Sequence, residues 1–155
     1  MKRVNLFTQP VEYDERDPEG CKAGMSRFGP SIGASKLGGS IYELGPGQGD
    51  LPLSLRVRQR RVVAHPRGPV TLRHPEGEEQ LERGDVVWFP IGPKGAHKVS
   101  NQGEETARVL MVSTMGEPAV AIYPDSDKLG VWPGDERDNL MVRRSSAVDY
   151  WDGES

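Results

Sequence analysis

Residues 84–101 read GDVVWFPIGPKGAHKVSN and carry one group with evident coordination chemistry, the imidazole of His97. A neutral imidazole offers a ring nitrogen to a first-row metal, and its pKa lies close enough to neutrality for proton transfer. The surrounding spacing directs that chemistry. Gly84 and Asp85 turn the chain into the strand DVVWFP, and Pro90 and Gly92 bend it out of the sheet. The next strand, HKVSN, then aims His97 inward, with Asn101 four residues past it. A second stretch, LSLRVRQRRVVAHPRG (53–68), holds five arginines and no acid. Guanidinium groups suit phosphate and nucleic-acid backbones. No stacking aromatic interleaves these arginines between 51 and 75, however, and the net charge is −3. Nucleic acid is therefore not the expected partner.

Other polar groups have plainer readings. His65 and His74 lie beside prolines near turns and are expected at the surface. Glu78, Glu79, Asp125 and Asp127 are expected to be solvated turn charges. GPGQG (45–49) lacks the following Lys-Ser/Thr and helix of a phosphate loop, so it reads as a turn. Trp88 is expected in the core or at an interface.

The elements that must position His97 are strands. Nineteen glycines and thirteen prolines punctuate 155 residues, which favours many short strands in one domain over long helices. A strand is expected near Ala23–Phe28, another around Ile41–Leu44, and further ones at Pro69–Arg73, 85–90 (stopped by Pro90), 97–101, 107–115 and 119–124, with a single helical turn at Asp125–Lys128. Strands at this spacing, separated by Gly/Pro turns, predict a sandwich or small barrel. Residues 1–38 read as an N-terminal arm contributing a short strand, 39–124 as the barrel, and 125–155 as a charged tail. Tyr150 and Trp151 are expected to pin that tail to the barrel or to a second subunit. The single cysteine, Cys21, excludes an intramolecular disulfide, and no apolar run reaches membrane-spanning length. With no signal-peptide pattern at the N-terminus, a cytoplasmic location is expected.

The set Gly84, Pro90, Gly92, His97 and Asn101 resembles the second signature of the cupin superfamily. STMGEPAVAIYPDSDKLGVW (113–132), GGSIYELGPGQ, VNLF and the terminal VDYWDGE are similar to a bacterial branch of single-domain cupins. The resemblance covers nearly all of the chain except residues 51 to about 69. It implies an all-β, double-stranded β-helix (jelly-roll) barrel. It also implies a divalent metal, Fe, Mn, Ni or Zn, held by three histidines and one acid, and a homodimer formed through edge strands. The first cupin signature falls in the excepted segment. Counting back seven residues from Gly68 places its glutamate at Arg61, and the two ligands before it fall at Ser54 and Arg56. Of the four ligands only His97 remains, and guanidinium groups repel a cation.

A shifted reading of the same codons offers a cause. Codon degeneracy allows the frame one base later to spell Pro-Tyr-His-Tyr-Glu-Tyr, then Glu-Glu-Trp-Leu-Leu, then Leu-Glu-Gly-Arg, which is the missing signature at its proper spacing. Two compensating frameshifts, near Asp50–Leu51 and near Pro69–Val70, are therefore expected. The nucleotides test this directly: a Ser54 codon whose shifted triplet cannot encode His ends the idea. For the chain as it stands, strand alternation sets Leu51, Leu53, Leu55 and Val57 on one parity and Ser54, Arg56 and Arg58 on the other. Keeping the cupin register buries Arg56 unpaired, at a cost of several kcal/mol. The expectation is a one-residue slip, a widened mouth or local disorder. Two functions remain open on this reading: a non-catalytic barrel that binds a small molecule, which the missing ligands favour, and a metal-dependent dioxygenase or isomerase if the first signature is restored.

Overall fold

Each turn signal in the sequence closes a short strand, and the computed structural model is correspondingly all-β. It describes residues 1–154, apart from the side chains of His65 and Pro66, so the expectation for His65 lies outside the described residues. The strands are β1 (Ala23–Arg27), β2 (Leu37–Leu44), β3 (Leu55–Arg56), β4 (Arg61–Arg67), β5 (Val70–His74), β6 (Gly77–Leu81), β7 (Val86–Phe89), β8 (Lys98–Ser100), β9 (Ala107–Thr114), β10 (Ala119–Tyr123), β11 (Lys128–Trp132) and β12 (Leu140–Arg143). The helical turn after β10 is a 3-10 turn at Pro124–Ser126, and β11 has already begun at Lys128. No helix of the described residues is long and apolar enough to cross a membrane.

One wall is a five-stranded sheet in the order β1-β2-β9-β4-β7. The other is made of two smaller sheets, β12-β11-β10-β3 and β6-β5-β8. Backbone bridges between Ser54 and His97 and between Gly49 and Ser100 join them side by side. All of these pairings are antiparallel. The result is a jelly roll, in which apolar residues of both walls meet. Leu44, Val63, Val70, Leu72, Val99 and Val109 fill the space between the walls and are essentially inaccessible to solvent.

Alternation along β9 buries Ala107, Val109 and Met111, yet Arg108 is buried as well, on the outer face. The N-terminal arm covers it there. Its Nε donates to Glu43 Oε2 (2.7 Å), and its Nη1 and Nη2 donate to the carbonyls of Leu6 (3.0 Å) and Gln9 (3.1 Å). A buried guanidinium is tolerated when its donors are used in this way.

For two sets of aromatic residues the placement expected within the chain itself is not found, which leaves the alternative of an interface with a second copy. Trp88 is 53% exposed, because β7 is an edge strand whose Val87 and Phe89 face the core while Val86 and Trp88 face outward. Tyr150 and Trp151 are also exposed and stack edge-to-face on each other at 4.7 Å, so they do not anchor the tail to its own barrel.

Candidate functional site

The motif around His97 builds a rigid platform. Gly84 takes φ +101 in the turn before β7, where Asp85 Oδ2 accepts the Glu82 N–H at 2.7 Å. After Pro90 the chain reverses at Gly92, whose φ of +81 is one that residues with a Cβ seldom adopt. A 3-10 turn, Pro93–Gly95, follows. Gly95 packs directly on the Pro90 backbone, leaving no room for a Cβ. That contact fixes the Gly95 carbonyl, which accepts a hydrogen bond from His97 Nδ1 at 2.7 Å. Asn101, fully buried, donates from Nδ2 to the carbonyls of Leu44 (2.9 Å) and Glu105 (2.7 Å) and accepts the Gly103 N–H at Oδ1 (2.9 Å). It clamps two loops together and does not reach His97's ring.

His97 is buried and its ring stacks on Phe89, with centroids 3.7 Å apart and planes 10° from parallel. Opposite it lies Ser54. The two residues exchange both backbone hydrogen bonds, at 3.1 and 2.9 Å, so their side chains share one face of the sheet. On β4, Arg61 is only 7% exposed, and its Nη1 lies 3.3 Å from His97 Nε2. A carbonyl only accepts and a guanidinium only donates. His97 therefore carries its proton on Nδ1, and Nε2 accepts from Arg61. Burial, with the nearby charges of Arg61 and Arg56, holds its pKa down to about 4, against the Gly95 bond, which raises it. The ring is neutral at neutral pH.

Arg56 completes the cluster. Its side chain is partly buried, its guanidinium lies 5.8 Å from the Trp132 ring centroid, and its Nε is buried with no hydrogen-bond partner. Arg61 Nε is equally unpartnered. Burial first, and then the like charge of Arg61, bring the Arg56 pKa down to about 10. The expected one-residue slip is thus not found. The Ser54–His97 bridge on one side and the pairing of Leu55 and Arg56 with β10 on the other fix the register. Leu53 and Leu55 are buried too, because both faces of this short segment are covered. Arg56 keeps the inward parity, contrary to expectation.

Sequence reasoning missed three members of this site. Phe89 lies on a strand it identified, but nothing in the sequence says that its ring meets His97. Asp50 is buried, with Oδ1 accepting the Val99 N–H at 3.1 Å. Burial chiefly pushes its pKa up to about 6, opposed by hydrogen bonds from the backbone N–H groups of Val99 and Leu51 and by the charge of Arg61. Tyr42 is buried near the same charges: its pKa is raised by burial and by Asp50 and is lowered by Arg61, Arg27 and Arg56. His74 is half-buried and lies elsewhere, with Nε2 3.8 Å from Glu79 Oε1. Two open depressions, of about 570 Å³ beside Glu12–Arg16 and about 290 Å³ beside His74 and Trp88, are not lined by Arg56, Arg61 or His97. Phe89 forms part of the second and separates it from the imidazole.

No family model matches the sequence, and no curated protein does. Solved structures do match. A sugar phosphate isomerase of the cupin superfamily from Silicibacter pomeroyi superposes with a TM-score of 0.80 at 22% identity, covering 97% of this chain and 98% of that one. A candidate sugar phosphate isomerase from Acidithiobacillus ferrooxidans gives 0.80 at 21% identity, covering 93% and 91%. A Cupin 2 conserved barrel domain protein from Salinispora arenicola gives 0.54 at 18%, covering 75% and 90%. This chain has the cupin fold. The cupin fold implies a divalent metal, and the residues present do not fit one. Among the described residues no three His, Cys, Asp or Glu side chains converge. At the positions where the cupin resemblance places ligands stand Ser54, Arg56 and Arg61, and Arg61 occupies the free nitrogen of His97. A guanidinium there opposes a cation both electrostatically and by filling its place.

Proposed function

We propose that this cupin-fold chain is a metal-independent, non-catalytic barrel that binds a small molecule around His97. One observation carries the reading: Arg61 Nη1 sits 3.3 Å from His97 Nε2, in the direction from which a metal would bind that nitrogen. The imidazole is left neutral and held at both ends, which is a poor arrangement for a proton shuttle and a good one for a rigid wall. The test is metal content. Protein expressed with Fe, Mn, Ni and Zn supplied is expected to contain far less than one metal per chain, and its melting temperature is expected to be insensitive to a chelator. A stoichiometric metal overturns the reading.

A second reading has its own support. Ser54, Arg61 and His97 remain in mutual register, so the ligand positions are still geometrically assembled. The two structures of highest overlap are named for sugar phosphate isomerases. Restoring the side chains that the shifted codons spell, Ser54→His, Arg56→Glu and Arg61→Glu, is therefore expected to create a site that takes up one divalent metal. A triple variant that folds yet stays metal-free ends this second reading.

A further inference from the structure

We propose that Arg56 and Arg61 form, inside the barrel, a binding site for the carboxylate group of a small organic acid. This rests on the metal-free reading above and adds the chemical class of the ligand.

The argument begins with unspent donors. Arg61 is more than nine-tenths buried, with Nη1 used on His97 and Nε on nothing. Arg56 Nε is buried and likewise unused. Native interiors pair nearly all such groups, and a buried guanidinium without an anion is among the costliest to leave unpaired. Arg108 gives the internal contrast, since Glu43 and two carbonyls take up its donors. Among the described residues no carboxylate forms an ion pair with Arg56 or Arg61. Asp50 is the buried acid that feels the charge of Arg61, but the backbone N–H groups of Val99 and Leu51 hold it.

Charge selects among anions. Two guanidiniums and one carboxylate leave the interior at +1, with His97 neutral. A monoanion brings it to zero, whereas a dianionic phosphate overshoots to −1. Geometry agrees, because a guanidinium fork matches the two oxygens of a carboxylate. Phe89, stacked on His97, supplies an apolar surface beside the donors.

The test uses the full chain, exchanged into a carboxylate-free buffer and titrated with sodium formate or sodium acetate against sodium chloride at matched ionic strength. Inorganic phosphate serves as a separate arm. The readouts are the melting temperature and the guanidinium Nε–H resonances of Arg56 and Arg61. A saturable rise in melting temperature with formate or acetate is expected, together with movement of both resonances. In Arg56→Met, affinity is expected to fall about tenfold or more. This variant replaces an unpaired charge by an apolar side chain and so is not expected to lose its fold. Absence of any saturable carboxylate response overturns the proposal, as does a saturable response to phosphate alone. Metal analysis of the same sample keeps the two failures distinct: a bound metal removes the underlying reading, whereas metal-free protein that ignores carboxylates removes only this inference.

Discussion

His97 is held from both ends, by a carbonyl that accepts its Nδ1 proton and by a guanidinium that donates to Nε2. That pair of contacts explains why one imidazole, recognisable from its spacing to Gly84, Pro90 and Gly92, does not have the free nitrogen the spacing suggests. The arginines around it divide by what their donors meet. Arg108 has every donor arm engaged, and Arg108→Met is expected to cost about 2–4 kcal/mol in urea unfolding, leaving Glu43 with only the Tyr13 hydroxyl and the carbonyls of Leu6 and Gln9 without their donor. Arg56 gives up only a ring contact with Trp132, so Arg56→Met is expected to be neutral or stabilising by about 1 kcal/mol. A large loss of stability in that variant contradicts the description of Arg56 as unpaired. Asp50 supplies a pH signature. Its folded pKa of about 6 lies above the ordinary aspartate value of 3.8, so between these values the folded state holds the extra proton. Stability from this group therefore rises as pH falls through 6 and is lost as pH rises again. The full excursion is on the order of 3 kcal/mol. Asp50→Asn keeps an oxygen for the Val99 N–H and lacks this term. The stability advantage of the variant over the parent at pH 7.5 should shrink toward pH 4.5, and a difference that stays constant over this range contradicts the assigned burial.

At the scale of elements, what turn chemistry controls was legible and what packing controls was not. Gly77, Gly84, Pro90 and Gly92 mark strand ends that the structure has at β6, β7 and the turn before β8. The segment 51–56 resisted the same reasoning. Parity predicts that either the leucines or Ser54 and Arg56 face inward, but β3 is two residues long and both of its faces are covered, so Leu53, Ser54 and Leu55 are all buried. Alternation is informative only where one face meets water. Phe89 was placed on a strand but not against His97, because the 3-10 turn between them sets that contact. This turn is also where substitution should be felt most. A Cβ at Gly95 has no space against Pro90, so Gly95→Ala is expected to cost about 2 kcal/mol or more and to shift the His97 Nδ1–H resonance as the carbonyl moves. Asn101→Ala removes three hydrogen bonds from a fully buried site and is expected to cost about 2–4 kcal/mol, with that resonance unchanged. An unaltered melting temperature in either variant contradicts the described platform.

For the whole molecule, the roll of two antiparallel walls was legible from strand spacing and from the motif around His97, and superposition on cupin structures agrees with it. Association was not legible in the same way. We propose that the homodimer implied by the cupin resemblance uses β7, an edge strand that exposes Val86 and Trp88, since an unpaired apolar edge is a natural surface for a second copy. Light scattering is expected to give a dimer, and Trp88→Lys to give a monomer; a monomeric parent protein removes the suggestion. None of this alters the claim on which the functional account turns, that a guanidinium stands where a metal would bind His97. The most direct measurement is the imidazole nitrogen spectrum of His97 in the labelled protein, recorded before and after addition of Zn²⁺. The account predicts a neutral ring protonated at Nδ1, with an Nε2 resonance that Zn²⁺ leaves in place. Displacement of that resonance by a stoichiometric amount of Zn²⁺ would contradict it.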